Sequence, residues 1–234
     1  MGKVIVANWK ANPGTRREAV RLAKECDFPF VFVAPPFVYL EAVRETLEKA
    51  SLAAQDVALP RPGGQTGQVT ATELKDLGVK AIIIGHSERR RLGETDREVG
   101  EKARAVIFSG MVPIICVGEK EKGGGERIVR ESLERVLFEL RGLEEKEMHV
   151  AYEPWWAIST NAGAEADVPE RAVKVIEGLR EVVEKKDFTK VKFLYGGSVD
   201  KNNAEDFLKE SVIEGTLVGG ASLRGEIADI IAFA

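Results

Sequence analysis

Eight short apolar runs alternate with longer amphipathic segments along the whole 234-residue chain. They predict an α/β protein: a single-domain (β/α)8 barrel with parallel strands, spanning residues 1–234. Most of the runs are continuously apolar rather than alternating, the pattern of strands covered on both faces, as in a parallel sheet wrapped by helices. The length suits one such domain with a sizeable core. An open doubly wound sheet is the runner-up. It usually has fewer strands and carries G-x-G-x-x-G after the first of them, which ANWKAN (7–12) is not.

Taken in order, KVIVAN (3–8) leads to a helical pattern, TRREAVRLAKEC (15–26), and FVFVAP (30–35) to VYLEAVRETLEKA (38–50). SLAAQD (51–56) is followed, after a loop, by TATELKDLG (70–78). KAIIIGH (80–86) precedes SERR, which reads as a helix start, and then ETDREVGEKARAVIFSG (94–110). MVPIICVG (111–118) leads through KGGGE (122–126), read as a flexible turn, into GERIVRESLERVLFELRGL (125–143). HVAYEP (149–154) precedes VPERAVKVIEGLREVVEKK (168–186), VKFLYGG (191–197) precedes DKNNAEDFLKES (200–211), and GTLVGG (215–220) precedes RGEIADIIAFA (224–234). In the helical patterns apolar residues recur every three or four positions. Gly78, Gly110 and Gly142 stand where helix ends favour a left-handed residue. No linker, low-complexity tract or second domain interrupts the series.

A barrel collects its chemistry at the C-terminal ends of its strands. The sequence places Asn8 and Lys10 there after the first strand, and His86, Ser87 and Glu88 after the fourth. Glu153 follows the sixth, Gly196, Gly197 and Ser198 the seventh, and Gly219 and Gly220 the eighth. The convergence is the signal, because each member alone has a plainer reading. Glu153, flanked by Tyr152 and two tryptophans, fits a general base, since a desolvated carboxylate is a stronger base; it fits a buried ion pair as well. His86 sits at a helix start, which disfavours imidazolium and keeps a ring able to donate to an oxyanion; taken alone it is a satisfied core histidine, as His149 is. Lys10 is a fixed cation or a solvated lysine. The two glycine pairs fall in the loops that build the phosphate site of this architecture, where backbone N–H groups cradle an anion.

Five stretches, ANWKAN, GHSERR, AYEPWWAI, YGGSV and LVGGASL, resemble the motifs of the triosephosphate isomerase family, in order and over nearly the whole chain. The resemblance implies a cofactor-free and metal-free aldose–ketose isomerisation between glyceraldehyde 3-phosphate and dihydroxyacetone phosphate, through an enediol(ate), in glycolysis and gluconeogenesis. It implies Glu153 as the base, His86 as the neutral electrophile, Lys10 as the substrate-holding cation with Asn8 as its companion donor, and Glu88 as a supporting carboxylate. Ser198, Gly219 and Gly220 match the phosphate grip, and Cys116 a buried packing residue.

Pro154, Trp156, Ala157 and Ile158 match the hinge of the family's mobile lid, but Ser159 and Asn161 stand where glycines are usual, and the segment up to Pro169 and Glu170 is longer than the common lid. Two outcomes stay open. Ser159 still offers its N–H to the phosphate and the lid closes, Asn161 tolerating a left-handed backbone; or closure is impaired and the intermediate leaks to methylglyoxal. RPGGQTGQ (61–68) resembles a loop that reaches, around Thr66, into a neighbouring subunit, which implies a homodimer, with a tetramer as the other possibility. The alternatives are a different phosphate-binding barrel, such as a synthase acting on a phosphorylated indole precursor, and a non-catalytic or lid-impaired phosphate-binding barrel serving as a binding or scaffold protein.

Composition sets the remaining bounds. A net charge of −4 offers no basic face to nucleic acid. Cys26 and Cys116 lie far apart without C-x-x-C spacing, which reads as a reducing, cytoplasmic setting rather than a zinc site or a disulfide scaffold. The N-terminal apolar run is too short for a signal peptide, and no later one spans a bilayer, so no membrane partner is expected. Charged residues make up 31% of the chain, while Asn, Gln, Cys and Met are sparse, the bias of proteins from hot environments. A thermal midpoint above about 65 °C, the top of the ordinary mesophile range, is therefore expected in scanning calorimetry; a midpoint within that range would remove the thermostable reading.

Overall fold

The computed structural model describes residues 2–123, 125–158 and 167–234. Their elements run β1 (Val4–Asn8), α1 (Arg16–Glu25), β2 (Val31–Ala34), α2 (Leu40–Arg44), β3 (Ser51–Ala54), α3 (Ala71–Asp76), β4 (Ala81–Ile84), α4 (Ser87–Arg91), α5 (Asp96–Phe108) and β5 (Val112–Val117). Then come α6 (Glu126–Glu139), β6 (Met148–Tyr152), α7 (Pro169–Glu184), β7 (Val191–Tyr195), α8 (Ala204–Leu208), β8 (Gly215–Val218) and α9 (Ile227–Ile231). The strands close in sequence order into one barrel, every pair parallel; β1 meets β2 in the register Ile5 to Val31 and β8 in the register Ile5 to Thr216. This is the (β/α)8, or TIM-barrel, architecture that the apolar runs predict; seven of the eight runs contain their strand, and β6 begins at Met148, one residue before the run given as 149–154.

The continuous apolar character of the runs has a direct cause. Side chains alternate across a strand, and here both directions are buried. Val4, Val6, Ala53, Ala81, Ile83, Ile114, Cys116, Ala151, Leu194 and Leu217 fill the lumen. Their neighbours Ile5, Ala7, Ile82, Ile84, Ile115, Val150, Tyr152 and Phe193 pack outward against the helices. The same alternation carries Asn8 beyond Val6, and Glu153 beyond Ala151, to the C-terminal mouth of the lumen.

Several helices are shorter than the sequence patterns. In 38–50 a 3-10 turn, Phe37–Tyr39, precedes the five-residue α2. The chain then leaves the helix because Asp27 takes the N–H groups of Glu48, Lys49 and Ala50 on its carboxylate at 2.8–3.2 Å, so they cannot donate back along a helix. Beyond β4 the helical stretch is broken in two at Gly93, with φ 100°, and restarts at Thr95, whose hydroxyl and the Glu98 carboxylate form a reciprocal cap. The patterns at 200–211 and 224–234 contract to α8 and α9. Gly78, Gly110 and Gly142 all adopt positive φ, as expected of helix ends. No helix of the described residues is long and apolar enough to cross a membrane.

Two buried polar groups shape the frame. Lys102 of α5, 4% exposed, has its ammonium between Glu94 and the Asp56 carboxylate, 2.6 Å away, and Asp56 also accepts from Arg89 at 2.9 Å. At the opposite, N-terminal end of the barrel His149 is buried, edge-on to Phe32 and 3.5 Å from Glu147. Burial lowers its pKa from 6.5, against the opposing pull of the Glu147 hydrogen bond and charge. The folded ring is thus neutral where the unfolded one protonates, so this contribution to stability is complete above about pH 6.5 and is lost as pH falls through the lowered folded value. Urea midpoints are expected to drop between pH 7.5 and 5.5, and His149→Gln to flatten that slope; equal slopes in the two proteins would show that His149 carries no pH sensitivity.

Candidate active site

The mouth of the barrel is assembled by backbone hydrogen bonds. Asn8, last residue of β1 and 4% exposed, accepts the N–H of Lys10 on Oδ1 at 3.0 Å. This tight turn holds Lys10 at φ 53°, an uncommon conformation for a residue with a Cβ. Gln55, just beyond β3, donates from one amide nitrogen to the carbonyls of Lys10 and Ala34 at 2.7 and 2.8 Å and so ties the ends of the first two strands. Lys10 Nζ reaches Glu88 Oε1 at 2.8 Å. Burial works against the Glu88 charge, but the Lys10 hydrogen bond and charge outweigh it and hold the carboxyl below its ordinary range.

His86 opens α4. Its Nδ1 accepts the N–H of Glu88 at 3.2 Å. A ring nitrogen that accepts carries no proton, so the imidazole is neutral and its single N–H is on Nε2. That Nε2 lies 3.3 Å from Oε1 of Glu153. The turn beneath is braced by Arg90, which donates to the carbonyls of Gly85 (2.7 Å) and Cys116 (3.0 Å) and pairs with Asp96 at 2.6 Å.

Glu153, 1% exposed, accepts the Ser87 N–H on Oε2 at 3.0 Å, while Oε1 has no hydrogen-bond partner. The strand ends on either side leave room for it. A Cβ on Gly118 would fall 1.7 Å from the Glu153 carbonyl oxygen, and one on Gly196 would fall 2.8 Å from its Cγ. Cys116, buried in the lumen below, has its thiol pushed well up by burial and then by the Glu153 carboxylate.

The hinge beyond Glu153 is a 3-10 turn, Trp155–Ala157, between Pro154 and Ile158. One oxygen of buried Glu119 accepts from Tyr152 Oη (2.9 Å), Trp156 Nε1 (3.0 Å) and Arg171 Nη2 (2.8 Å), and Arg171 also stacks 4.0 Å over the Trp156 ring. Burial, then the Glu119 charge, pushes the Tyr152 phenol up. Ser198 donates its N–H to the Ala157 carbonyl at 3.2 Å. Ser159 and Asn161 lie outside the described residues.

A cavity of about 140 Å³ opens between these parts, bordered by Lys10, His86, Ile158, Ser198, Gly219 and Gly220. Of the candidate catalytic residues Lys10 and His86 border it, whereas the Glu153 carboxylate stays with Ser87 and against Gly196. Asn8 and Glu88 border a neighbouring cavity of about 190 Å³ on the other flank of Lys10. The segment 61–68 stands on the surface with Thr66 exposed. Gln55, Gly118, Glu119 and Arg171 escaped the sequence reading. Gln55 was findable by the rule that found Asn8, since it is a polar residue ending an apolar run. Among the described residues no group of three or more His, Cys, Asp or Glu side chains is placed to hold a metal ion.

An imidazole and an ammonium bordering one small cavity, a buried carboxylate 3.3 Å from that imidazole, and glycine-lined loops at the cavity's end define the class: a (β/α)8-barrel enzyme suited to moving protons beside a bound anion. The family model described as triosephosphate isomerase matches residues 3–234. A protein of that name from Delftia acidovorans is 40% identical over 237 residues, covering 95% of this chain and 94% of its own. Namesakes from Dictyoglomus turgidum (35%, 95% of each chain) and Coprinopsis cinerea (36%, 97% of this chain and 96% of the other) are similar. The chain belongs to the triosephosphate isomerase family.

The close approach at Gly118 makes a sharp test of the site's framework. Gly118→Ala forces the Glu153 backbone to move, so loss of roughly 3 kcal/mol or more of stability, and at least a hundredfold of isomerase activity, is expected from urea melts and a coupled assay. A variant with native activity and stability would show that the strand end yields without cost.

Proposed function

We propose that the chain interconverts D-glyceraldehyde 3-phosphate and dihydroxyacetone phosphate, with residues 1–234 acting as one catalytic domain. The observation that carries this is the His86 ring: with Nδ1 committed to a backbone N–H, its one proton sits on Nε2, 3.3 Å from Glu153 and bordering the cavity. Glu153 takes the proton from the carbon beside the substrate carbonyl, and His86 Nε2–H donates to the carbonyl oxygen as negative charge develops there. Lys10, aligned by Asn8 and Glu88, supplies a fixed positive charge to the enediolate. Glu153 then returns the proton to the neighbouring carbon. Gly219, Gly220, Ser198 and Ser159 hold the phosphate.

Two hydrogen bonds must be exchanged in this scheme. Glu153 gives up the Ser87 N–H to reach the substrate, and Ser198 gives up the Ala157 carbonyl to offer its N–H to phosphate. One partner of each bond, the Glu153 carboxylate and the Ala157 carbonyl, lies on either side of Pro154, so motion of the hinge formed by Pro154, Trp156, Ala157 and Ile158 links base and phosphate grip. The chain works in the cytoplasm, where its two free, buried cysteines fit a reducing setting, and as a homo-oligomer, a dimer or tetramer, in which the 61–68 loop of one copy packs beside Lys10 of the next. The high charged fraction supports a thermostable protein. No observation among the described residues favours a barrel that binds without turnover.

Steady-state kinetics of Glu153→Gln decides the assignment. A fall in kcat of about 10²–10⁴-fold, the range for loss of a general base, with KM changed severalfold at most, is expected. A folded native chain that turns over no triose phosphate would remove the proposal altogether.

A further inference from the structure

A second cation borders the cavity and has no part in the scheme above. Arg224 follows the 3-10 turn Gly220–Leu223 at the end of β8 and lines the same wall as Gly219 and Gly220. Each of these glycines faces a different cation. A Cβ on Gly219 would lie 3.6 Å from Lys10 Cε, and one on Gly220 would lie 3.2 Å from Arg224 Nη1. The guanidinium therefore stands over the backbone of the second glycine much as the Lys10 stem stands over the first.

Its direction is fixed from behind. Arg224 Nε donates to Glu226 Oε1 at 2.5 Å, and Glu226 Oε2 accepts the N–H of Lys201, in the loop after β7, at 3.3 Å. The Arg224 hydrogen bond holds the Glu226 carboxyl below its ordinary range, so the brace stays charged. With Nε tied, Nη1 remains directed at Gly220. Among the described residues the acidic residue lining the cavity is Asp200, hydrogen-bonded within its own turn, where Oδ1 accepts the Asn202 N–H at 2.8 Å and its N–H donates to Asn203 at 2.9 Å, while its charge also acts on Arg224. A planar guanidinium with free edges beside backbone N–H donors suits the tetrahedral oxygens of a phosphoryl dianion, which it meets through more than one N–H.

We propose that Arg224 is a specificity residue for the phosphoryl end of the substrate, oriented by Glu226 as a positioning residue, and that it favours a dianion there over an uncharged group. The substrate in this statement rests on the isomerase reading, but the anion site does not. Calorimetric titration with inorganic phosphate and steady-state kinetics on native, R224Q, R224K and E226Q proteins test it. R224Q is expected to weaken phosphate binding about tenfold and raise KM by a similar factor, with kcat within about twofold and a shallower salt dependence of kcat/KM. R224K recovers part of the loss, having charge without the fork, and E226Q shows a smaller KM effect with the salt dependence retained. Phosphate affinity and KM of R224Q within twofold of native overturn the proposal; if R224Q fails to fold, R224K with native affinity does so. A native chain with Arg224-dependent phosphate binding but no turnover would sink the isomerase reading and leave the anion site standing.

Discussion

Closing eight parallel strands into a ring leaves neither a sheet edge nor an exposed sheet face, and the molecule is organised around that constraint. Every strand residue must be apolar, or hydrogen-bonded, whichever way it points. Val6 and Ile5, or Ala151 and Val150, are equally buried though they face lumen and helix respectively. Burial of this completeness stabilises the frame by roughly 25 cal/mol for each Å² of apolar surface removed from water. It also means that polar side chains are tolerated on the barrel axis chiefly at the two ends. At the C-terminal end the alternation that buried Val6 and Ala151 carries Asn8 and Glu153 two residues further, to the rim of a cavity.

Polar groups that reach the rim are still largely hidden, so each needs partners, and the partners set the geometry. Backbone N–H groups from one short helix serve two of them: Ser87 donates to Glu153 and Glu88 to His86. Glu153 keeps one oxygen on the Ser87 N–H and the other 3.3 Å from His86 Nε2, outside hydrogen-bond geometry. Glu119 gathers three donors on one oxygen and holds Tyr152, Trp156 and Arg171 together, while its other oxygen has no hydrogen-bond partner. The hinge is therefore fastened to the strand that carries the base.

The eight strands were legible because burial on both faces writes itself into composition as unbroken apolar runs. Strand ends were legible too, since Asn8, His86 and Glu153 interrupt such runs abruptly. Helix ends were less so. Nothing in 38–50 announces that Asp27, some twenty residues earlier in the chain, will capture the N–H groups of Glu48 to Ala50 and end α2 early. The supporting shell was similarly hidden. Gly118 looks like an ordinary turn glycine until the Glu153 carbonyl is found where its Cβ would be, and Glu119 and Arg171, 52 residues apart, meet only through the fold. Local pattern marks where chemistry can sit; pairing between distant strands decides what holds it.

The lumen beneath the site contains one sulfur, and its state bears on chemical safety. A cysteine thiolate close to an aldehyde adds to it and forms a thiohemiacetal, which would trap a triose phosphate in a dead end. Cys116 is kept from that reaction by its surroundings: full burial and the neighbouring Glu153 carboxylate both disfavour the thiolate. The same negative charge that suits Glu153 to proton abstraction thus keeps the nearest nucleophile quiet. It also makes the thiol a poor target for peroxide and for alkylating metabolites, so a barrel handling a reactive carbonyl can carry a cysteine below its active site without being modified by its own substrate.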